Sequence, residues 1–163
     1  VVYETESEMD GVMYSDNAGV LFIEESSGDN EKLYAVYLDE PDSTYTIYDV
    51  DESDFYADPG NIMRMYGTMG EWVVRMSPDM DMVYLDGTQY FENFEESAPR
   101  PFIDAVDVRS GEKTRIFESD ADVYENIIAV LDDDVSKLML ERETPTMVPT
   151  SGSTTPKQKR WSK

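Results

Sequence analysis

An all-β fold built from repeated antiparallel units follows from three features of this 163-residue chain. Short runs rich in Val, Ile, Tyr and Phe are bounded by Gly, Pro, Asn and Asp, the pattern of strands closed by turns. No segment carries a convincing 3.6-residue apolar period; the nearest, Asp120 to Leu131, reads as a loop and then a strand. Turn segments of similar make-up precede apolar strands at Tyr14–Gly19, Ser77–Asp81 and Leu131–Val135. Their spacings of about 63 and about 54 residues fall in the range of a four-stranded propeller blade with loop insertions.

The clearest unit runs from Trp72 to Ser119. A strand at Trp72–Met76 enters the turn Ser77-Pro78-Asp79-Met80-Asp81, and a second strand follows at Met82–Leu85. After a loop come a strand at Phe102–Val108, the tight turn Arg109-Ser110-Gly111-Glu112 and a strand at Lys113–Phe117. Four antiparallel strands in about fifty residues is the repeating unit of a β-propeller. Upstream, Gly19–Glu25, Leu33–Leu38 and Thr44–Tyr48 read as strands, separated by turns at Ser26–Asn30 and Glu40–Ser43. Residues 1–10 are acidic and weakly patterned, an incoming loop or a partial strand.

In each recurring turn, Asp or Ser caps the chain reversal by hydrogen-bonding the backbone. An acid-rich chain also places Asp in any turn, so the flanking strands carry the repeat reading. Downstream, Tyr124–Val130 and Lys137–Leu140 give the first two strands of a third unit, and apolar alternation stops after Pro149. The expected organisation is therefore about two and a half antiparallel four-stranded blades: a partial propeller over residues 1–149, with blades near 11–60 and 70–119 and an incomplete one at 120–149. Residues 150–163, a Ser/Thr-rich run with a basic end, are expected to be a disordered polar tail.

Composition closes most routes to catalysis. The chain has no His and no Cys, which removes Ser–His–Asp and Cys–His nucleophilic machinery and the usual zinc, haem and iron–sulfur ligand sets. There is no G-x-S-x-G elbow, no Walker-type phosphate loop and no G-x-G-x-x-G fingerprint. No catalytic, cofactor-binding or metal-ligating residue is assigned, and no cofactor is expected. No apolar run approaches the ~20 residues that span a bilayer. The chain begins at Val1 rather than Met, as expected of a processed chain or a fragment.

The formal net charge is −23. Lys157, Lys159, Arg160 and Lys163 are the charges of the last twenty residues, which leaves residues 1–143 at −27. Such a surface repels phosphate, so neither nucleic acid nor an anionic membrane is an expected partner. Two positive readings stay open: a protein kept soluble in high salt, or an ordinary acidic secreted or cytosolic protein, with a divalent-cation role as a special case.

Several residues invite a functional reading. Asp49-Val50-Asp51-Glu52-Ser53-Asp54 resembles the start of a calcium loop, but Asp54 and Gly60 stand where Gly and a bidentate Glu are needed; a solvated turn is the other reading. Asp132-Asp133-Asp134 is a turn or a hard-cation site. Glu95 and Glu96 are a carboxylate pair or a charged loop; glycosidase chemistry needs carboxylates facing each other across a cleft. Tyr84, Tyr90, Phe91, Phe94 and Phe102 form a blade core or line a peptide channel. Arg100 and Arg142, rare cations in an acidic chain, tie down loops or project towards an acidic substrate.

Five stretches, in order, carry a resemblance: Phe55-Tyr56-Ala57-Asp58-Pro59-Gly60, Leu85-Asp86-Gly87-Thr88-Gln89-Tyr90, Ala98-Pro99-Arg100-Pro101-Phe102-Ile103-Asp104, Leu131-Asp132-Asp133-Asp134 and Arg142-Glu143-Thr144-Pro145-Thr146. Over roughly residues 11–149 the chain resembles the propeller domain of the prolyl oligopeptidase family of serine peptidases, in its glutamyl-endopeptidase branch. The resemblance implies a propeller that limits access of peptides to an α/β-hydrolase domain, which holds the catalytic residues and is absent from this chain. The implied partners are that hydrolase domain of the same parent protein and the parent's peptide substrates. Met80 departs from the pattern, since such turns carry Gly there. The expected function is thus a non-catalytic gating segment, not an enzyme by itself. The alternative is a stand-alone acidic β-rich binding module, salt-adapted or not.

Overall fold

Alternation and turn chemistry produce thirteen strands and no helix among the described residues, which are 4–5, 7–17, 19–93, 98–144 and 146–154 of a computed structural model. Strands β1 (Glu8–Tyr14), β2 (Val20–Ser27), β3 (Asn30–Tyr37) and β4 (Tyr45–Asp51) form an antiparallel meander, each paired to the next. The β2–β3 register runs unbroken from Val20↔Tyr37 to Ser27↔Asn30. It closes through Gly28, whose φ of 66° costs glycine nothing. Of the acidic segment before Gly11, Glu8–Asp10 belong to strand β1, and their exposed side chains are why they show no apolar pattern.

Next come β5 (Asn61–Ile62), β6 (Arg64–Tyr66), β7 (Trp72–Val74), β8 (Met82–Gln89), β9 (Arg100–Asp107) and β10 (Lys113–Glu118). The second sheet has the order β10-β9-β8-β5, and β6 and β7 form a separate hairpin. This corrects the expected unit from Trp72. Its first strand pairs with Arg64–Tyr66 and reaches β8 only through a Met76↔Val83 bridge. The place beside Leu85 and Asp86 is taken by Asn61 and Ile62. Gly60 and Gly87 permit that approach: a Cβ on Gly60 would lie 2.6 Å from the Asp86 carbonyl oxygen, and one on Gly87 2.9 Å from the Gly60 Cα.

The third sheet comprises β11 (Tyr124–Val130), β12 (Leu138–Thr144) and β13 (Met147–Thr154) in that order. Strand β13 is a second correction. It pairs with β12 from Thr144↔Met147 to Leu138↔Thr154, so the chain stays in the sheet through Thr150–Thr154. Backbone hydrogen bonding to β12 holds this polar run without an apolar pattern to announce it. The rest of the expected tail, 155–163, lies outside the described residues.

The sheets stack through shared cores. Val20, Phe22, Leu33 and Ala35 of the first sheet meet Val83, Leu85, Val106 and Val108 of the second sheet region, with Ile47, Ile62 and Val74. The side chains alternating with these, Tyr84, Ile103 and Ala105, pack with Phe117 against Val135, Leu138 and Leu140 of the third sheet region. Strands β8 and β9 are thus buried on both faces, and each buried Leu, Ile or Phe contributes about 1.5–3 kcal/mol. On the far face of the first sheet, Ile23, Tyr34 and Val36 cluster, and the Tyr34 hydroxyl donates to Glu25.

The three recurring turns share one hydrogen-bond plan. Ser15 Oγ accepts from the Val20 amide at 3.1 Å and donates to Asn17; Ser77 Oγ accepts from the Met82 amide at 3.0 Å and donates to Asp79. In the third turn Asp132 takes the serine's place, accepting from the Lys137 amide at 3.1 Å and the Ser136 amide at 2.8 Å. Met80 and Val135, at equivalent positions, have φ values of 63° and 53°. The left-handed turn expected to want Gly therefore forms with Met.

Candidate functional site

Three clefts adjoin along the sheets. The first, about 370 Å³, is walled by Glu24 of β2, Glu31 of β3, Tyr48 of β4, and Asp58 and Arg64 from the segment that follows. The register places Leu33 between Glu24 and Tyr48 on neighbouring strands, so these side chains rise together. Gly11 of β1 leaves room for the Glu24 carboxylate, which would lie 2.8 Å from a Cβ there. The Tyr48 hydroxyl donates to Glu31 at 2.7 Å. Burial, then its bond to Glu31, pushes the Tyr48 phenol far above its usual range. Burial first and the Glu31 charge second raise Glu24, with Arg64 opposing.

Asp58 and Asn61 also line the second cleft, about 330 Å³, together with Asp86, Thr88, Tyr90 and Tyr124. Burial raises the Asp86 carboxyl above its ordinary value. Tyr124 continues into the third cleft, about 640 Å³, where Ala98, Pro99, Asp120, Asp122 and Glu143 complete the wall. The result is a row of openings rich in carboxylates and tyrosines. Its groups suit amide and cationic ligands. No group of three or more Asp or Glu is disposed to hold a metal ion among the described residues.

The residues singled out from sequence fall mostly elsewhere. Asp51 caps a turn, accepting from the Ser53 amide at 2.9 Å and the Ser53 hydroxyl at 2.6 Å, which lowers its pKa; Asp54 accepts from the Tyr56 amide. Asp132 is the turn cap described above, and its carbonyl accepts from the Arg75 guanidinium at 3.0 Å. Arg100 pairs with Glu118 at 3.6 Å and lies over the Phe91 ring; Arg142 pairs with Glu125 at 3.4 Å and Asp120 at 3.8 Å. Both tie strands to neighbours. The aromatic set divides: Tyr84 and Phe102 are core, while Tyr90 stacks on Phe55 with centroids 4.5 Å apart at the second cleft. Phe94, Glu95 and Glu96 lie outside the described residues.

Two structural charges escaped the sequence reading. Asp104, 1% exposed, takes a two-pronged contact from Arg115 (2.5 and 3.2 Å), with Lys113 at 3.6 Å. The Arg115 guanidinium also covers the Phe102 ring at 3.9 Å. An acid between Ile103 and Ala105 in an apolar strand was the available signal. Arg109 joins the first two sheets through Glu40 at 3.1 Å and the Tyr45 hydroxyl at 2.8 Å, resting over the Tyr37 ring.

No protein-family model matches the chain. It is 32% identical over 92 residues to the "Probable glutamyl endopeptidase, chloroplastic" of Arabidopsis thaliana, and 31% identical over 91 residues to the protein of the same name in Oryza sativa subsp. japonica. Each match spans 53% of this chain and 9% of the relative, so the chain corresponds to a small part of these curated proteins. Among solved structures, TolB from Acinetobacter baumannii is similar over 99% of this chain and 33% of its own, at 14% identity and a TM-score of 0.48. Hydrazine synthase of Kuenenia stuttgartiensis is similar over 93% and 51%, at 13% identity and a TM-score of 0.33. Both scores are low, and the architecture rests on the sheets described above.

Proposed function

We propose that the chain is a β-propeller segment of a prolyl-oligopeptidase-type serine peptidase, without catalytic residues of its own, and that it gates peptide access to an α/β-hydrolase domain of the same parent protein. The 32% identity over 92 residues to a glutamyl endopeptidase carries this reading. Antiparallel meanders stacked face to face, joined by turns of one hydrogen-bond plan, support the propeller part of it. The row of clefts along the sheets gives extended peptides a surface to pass. The name of the relatives points to glutamate-containing peptides as the substrates of such a parent. The reading frame that encodes the chain tests the proposal. A G-x-S-x-G motif followed by a late His downstream supports it, and a complete frame lacking both overturns it.

One observation favours a second reading, a stand-alone acidic interaction module. Two contiguous cores already bind the three sheets to one another within this chain. A module of this kind elutes as one species of defined mass in size-exclusion chromatography with light scattering, whereas a piece that needs its parent spreads into aggregates.

A further inference from the structure

The recurring turns bring three acids into one structural position. Their caps accept from the amides of Val20, Met82 and Lys137, and four residues beyond each amide stands Glu24, Asp86 or Glu141. Strand pairing agrees: Glu24 lies opposite Gly11, Asp86 opposite Asn61 and Glu141 opposite Asn126, in each case on the neighbouring earlier strand. Glu24 shares its face of β2 with Val20 and Phe22 and so looks towards the second sheet. Asp86 shares its face of β8 with Tyr84 and looks towards the third. Both are half-buried in the clefts between sheets, whereas Glu141, with no further sheet stacked on its side among the described residues, is exposed.

The two cleft acids stand among like charges. Glu24 is faced by Asp10 of β1, Glu31 of β3, Tyr48 of β4, Arg64 of β6 and Asp58 ahead of β5. Asp86 is faced by Asp58, Tyr90 and, from β11, Tyr124, with Asn61 and Asn126 as uncharged neighbours. Asp58 lines both clefts, and Arg64 is the one cation among the described residues that line the three clefts. Burial raises both carboxyls; at Glu24 the Glu31 charge adds to this, Arg64 opposes it and Asp10 adds again. On acidification they therefore take up protons ahead of a carboxyl at the ordinary value of about 4. An ionised pair presents like charge to a Glu side chain, whereas a neutral carboxyl donates a hydrogen bond to it.

We propose that Glu24 and Asp86 are a paired proton switch on the clefts: ionised, they hold off peptides bearing Glu, and neutral, they admit them. The inference rests on the reading of these clefts as a path for peptides.

Anionic and cationic nitroxides read the cleft charge in the full chain, through broadening of the Gly11 amide resonance in the first cleft and the Thr88 resonance in the second. From about pH 7.5 to about pH 5.5, above the ordinary carboxylate range, the anionic-to-cationic broadening ratio should rise about threefold. Glu24→Gln should give the raised ratio at Gly11 already at neutral pH and leave Thr88 unchanged; Asp86→Asn should do the reverse. Asp42→Asn, an equal change of charge on a distant turn, should alter neither. A ratio blind to pH in this window, or changed as much by Asp42→Asn as by the cleft variants, would overturn the inference. The complete translated product supplies the second arm, with short peptides alike at the cleaved bond but flanked by Glu–Gly or Gln–Gly repeats. The Glu-to-Gln ratio of kcat/KM should rise on acidification, and at neutral pH in Glu24→Gln/Asp86→Asn. A product that cleaves neither peptide at any pH overturns the peptide path and this inference with it. One that cleaves both in a ratio blind to pH and to the double variant overturns this inference alone.

Discussion

The Asn17 side-chain amide donates to the Met80 sulfur at 3.0 Å, joining the first recurring turn to the second. Both residues occupy left-handed or capping places in their turns, and Met80 also packs against the core shared by the first two sheets. The junction therefore locks two repeats at the level of their turns. Asn17→Ala and Met80→Leu should be coupled in a double-mutant cycle, the double variant losing about 0.5 kcal/mol less than the sum of the singles. Urea unfolding of the four proteins measures it, and strict additivity would show that the contact contributes nothing.

Gly60 and Gly28 both have positive φ, 82° and 66°, but their surroundings differ. Gly60 lies against the Asp86–Gly87 backbone, which cannot yield without breaking the β5–β8 pairing; nothing lies within 4 Å of a Cβ at Gly28. Gly28→Ala should cost about 1 kcal/mol, the left-handed penalty alone. Gly60→Ala should cost at least about twice that, read as the shift in urea midpoint at constant slope.

Asp104 is the most deeply buried acid among the described residues, and Arg115 is its principal counter-charge. Arg115→Met leaves the carboxylate with Lys113 alone. The expected loss is about 2–3 kcal/mol, below that of a fully buried pair because a third of the Arg115 side chain meets water. Thermal or urea unfolding at neutral pH provides the value.

Asp86 gives the pH dependence. Burial raises its carboxyl above the ordinary range, so the folded chain holds this proton more tightly than the unfolded one. That stabilisation is complete in acid, below the unfolded pKa, and is lost as pH rises through the raised folded value. Asp86→Asn stays neutral throughout. It should raise stability at neutral pH and make no difference below the ordinary carboxylate range, as urea midpoints at the two extremes will report. Glu24→Gln should behave the same way, since burial and Glu31 raise Glu24.

Strand positions were legible because alternation and β-branched residues mark them, and β2, β3, β9 and β10 lie where Phe22, Val36, Ile103 and Phe117 predict. Pairing was less legible. Nothing in Trp72–Val74 announces that its partner is Arg64–Tyr66 rather than β8, because ladder bonds are made by backbone and carry no side-chain signature. Thr150–Thr154 was hidden for the same reason. The cleft walls were hidden because Glu24, Glu31 and Asp58 come from distant segments, and in a chain this acidic no single Glu stands out. Ser15, Ser77 and Asp132 were readable as turn caps, since short polar side chains bond the nearby backbone wherever they occur.

The proposed gating role sets this segment between peptides and a peptidase active site elsewhere in its parent. Hydrolysis of a short peptide and of a folded protein containing the same sequence, by this chain and by the complete translated product, tests it most directly. Under that role the chain alone hydrolyses neither, and the complete product cleaves the short peptide rapidly but not the folded protein. A complete product that cleaves neither, or cleaves both at equal rates, would contradict it.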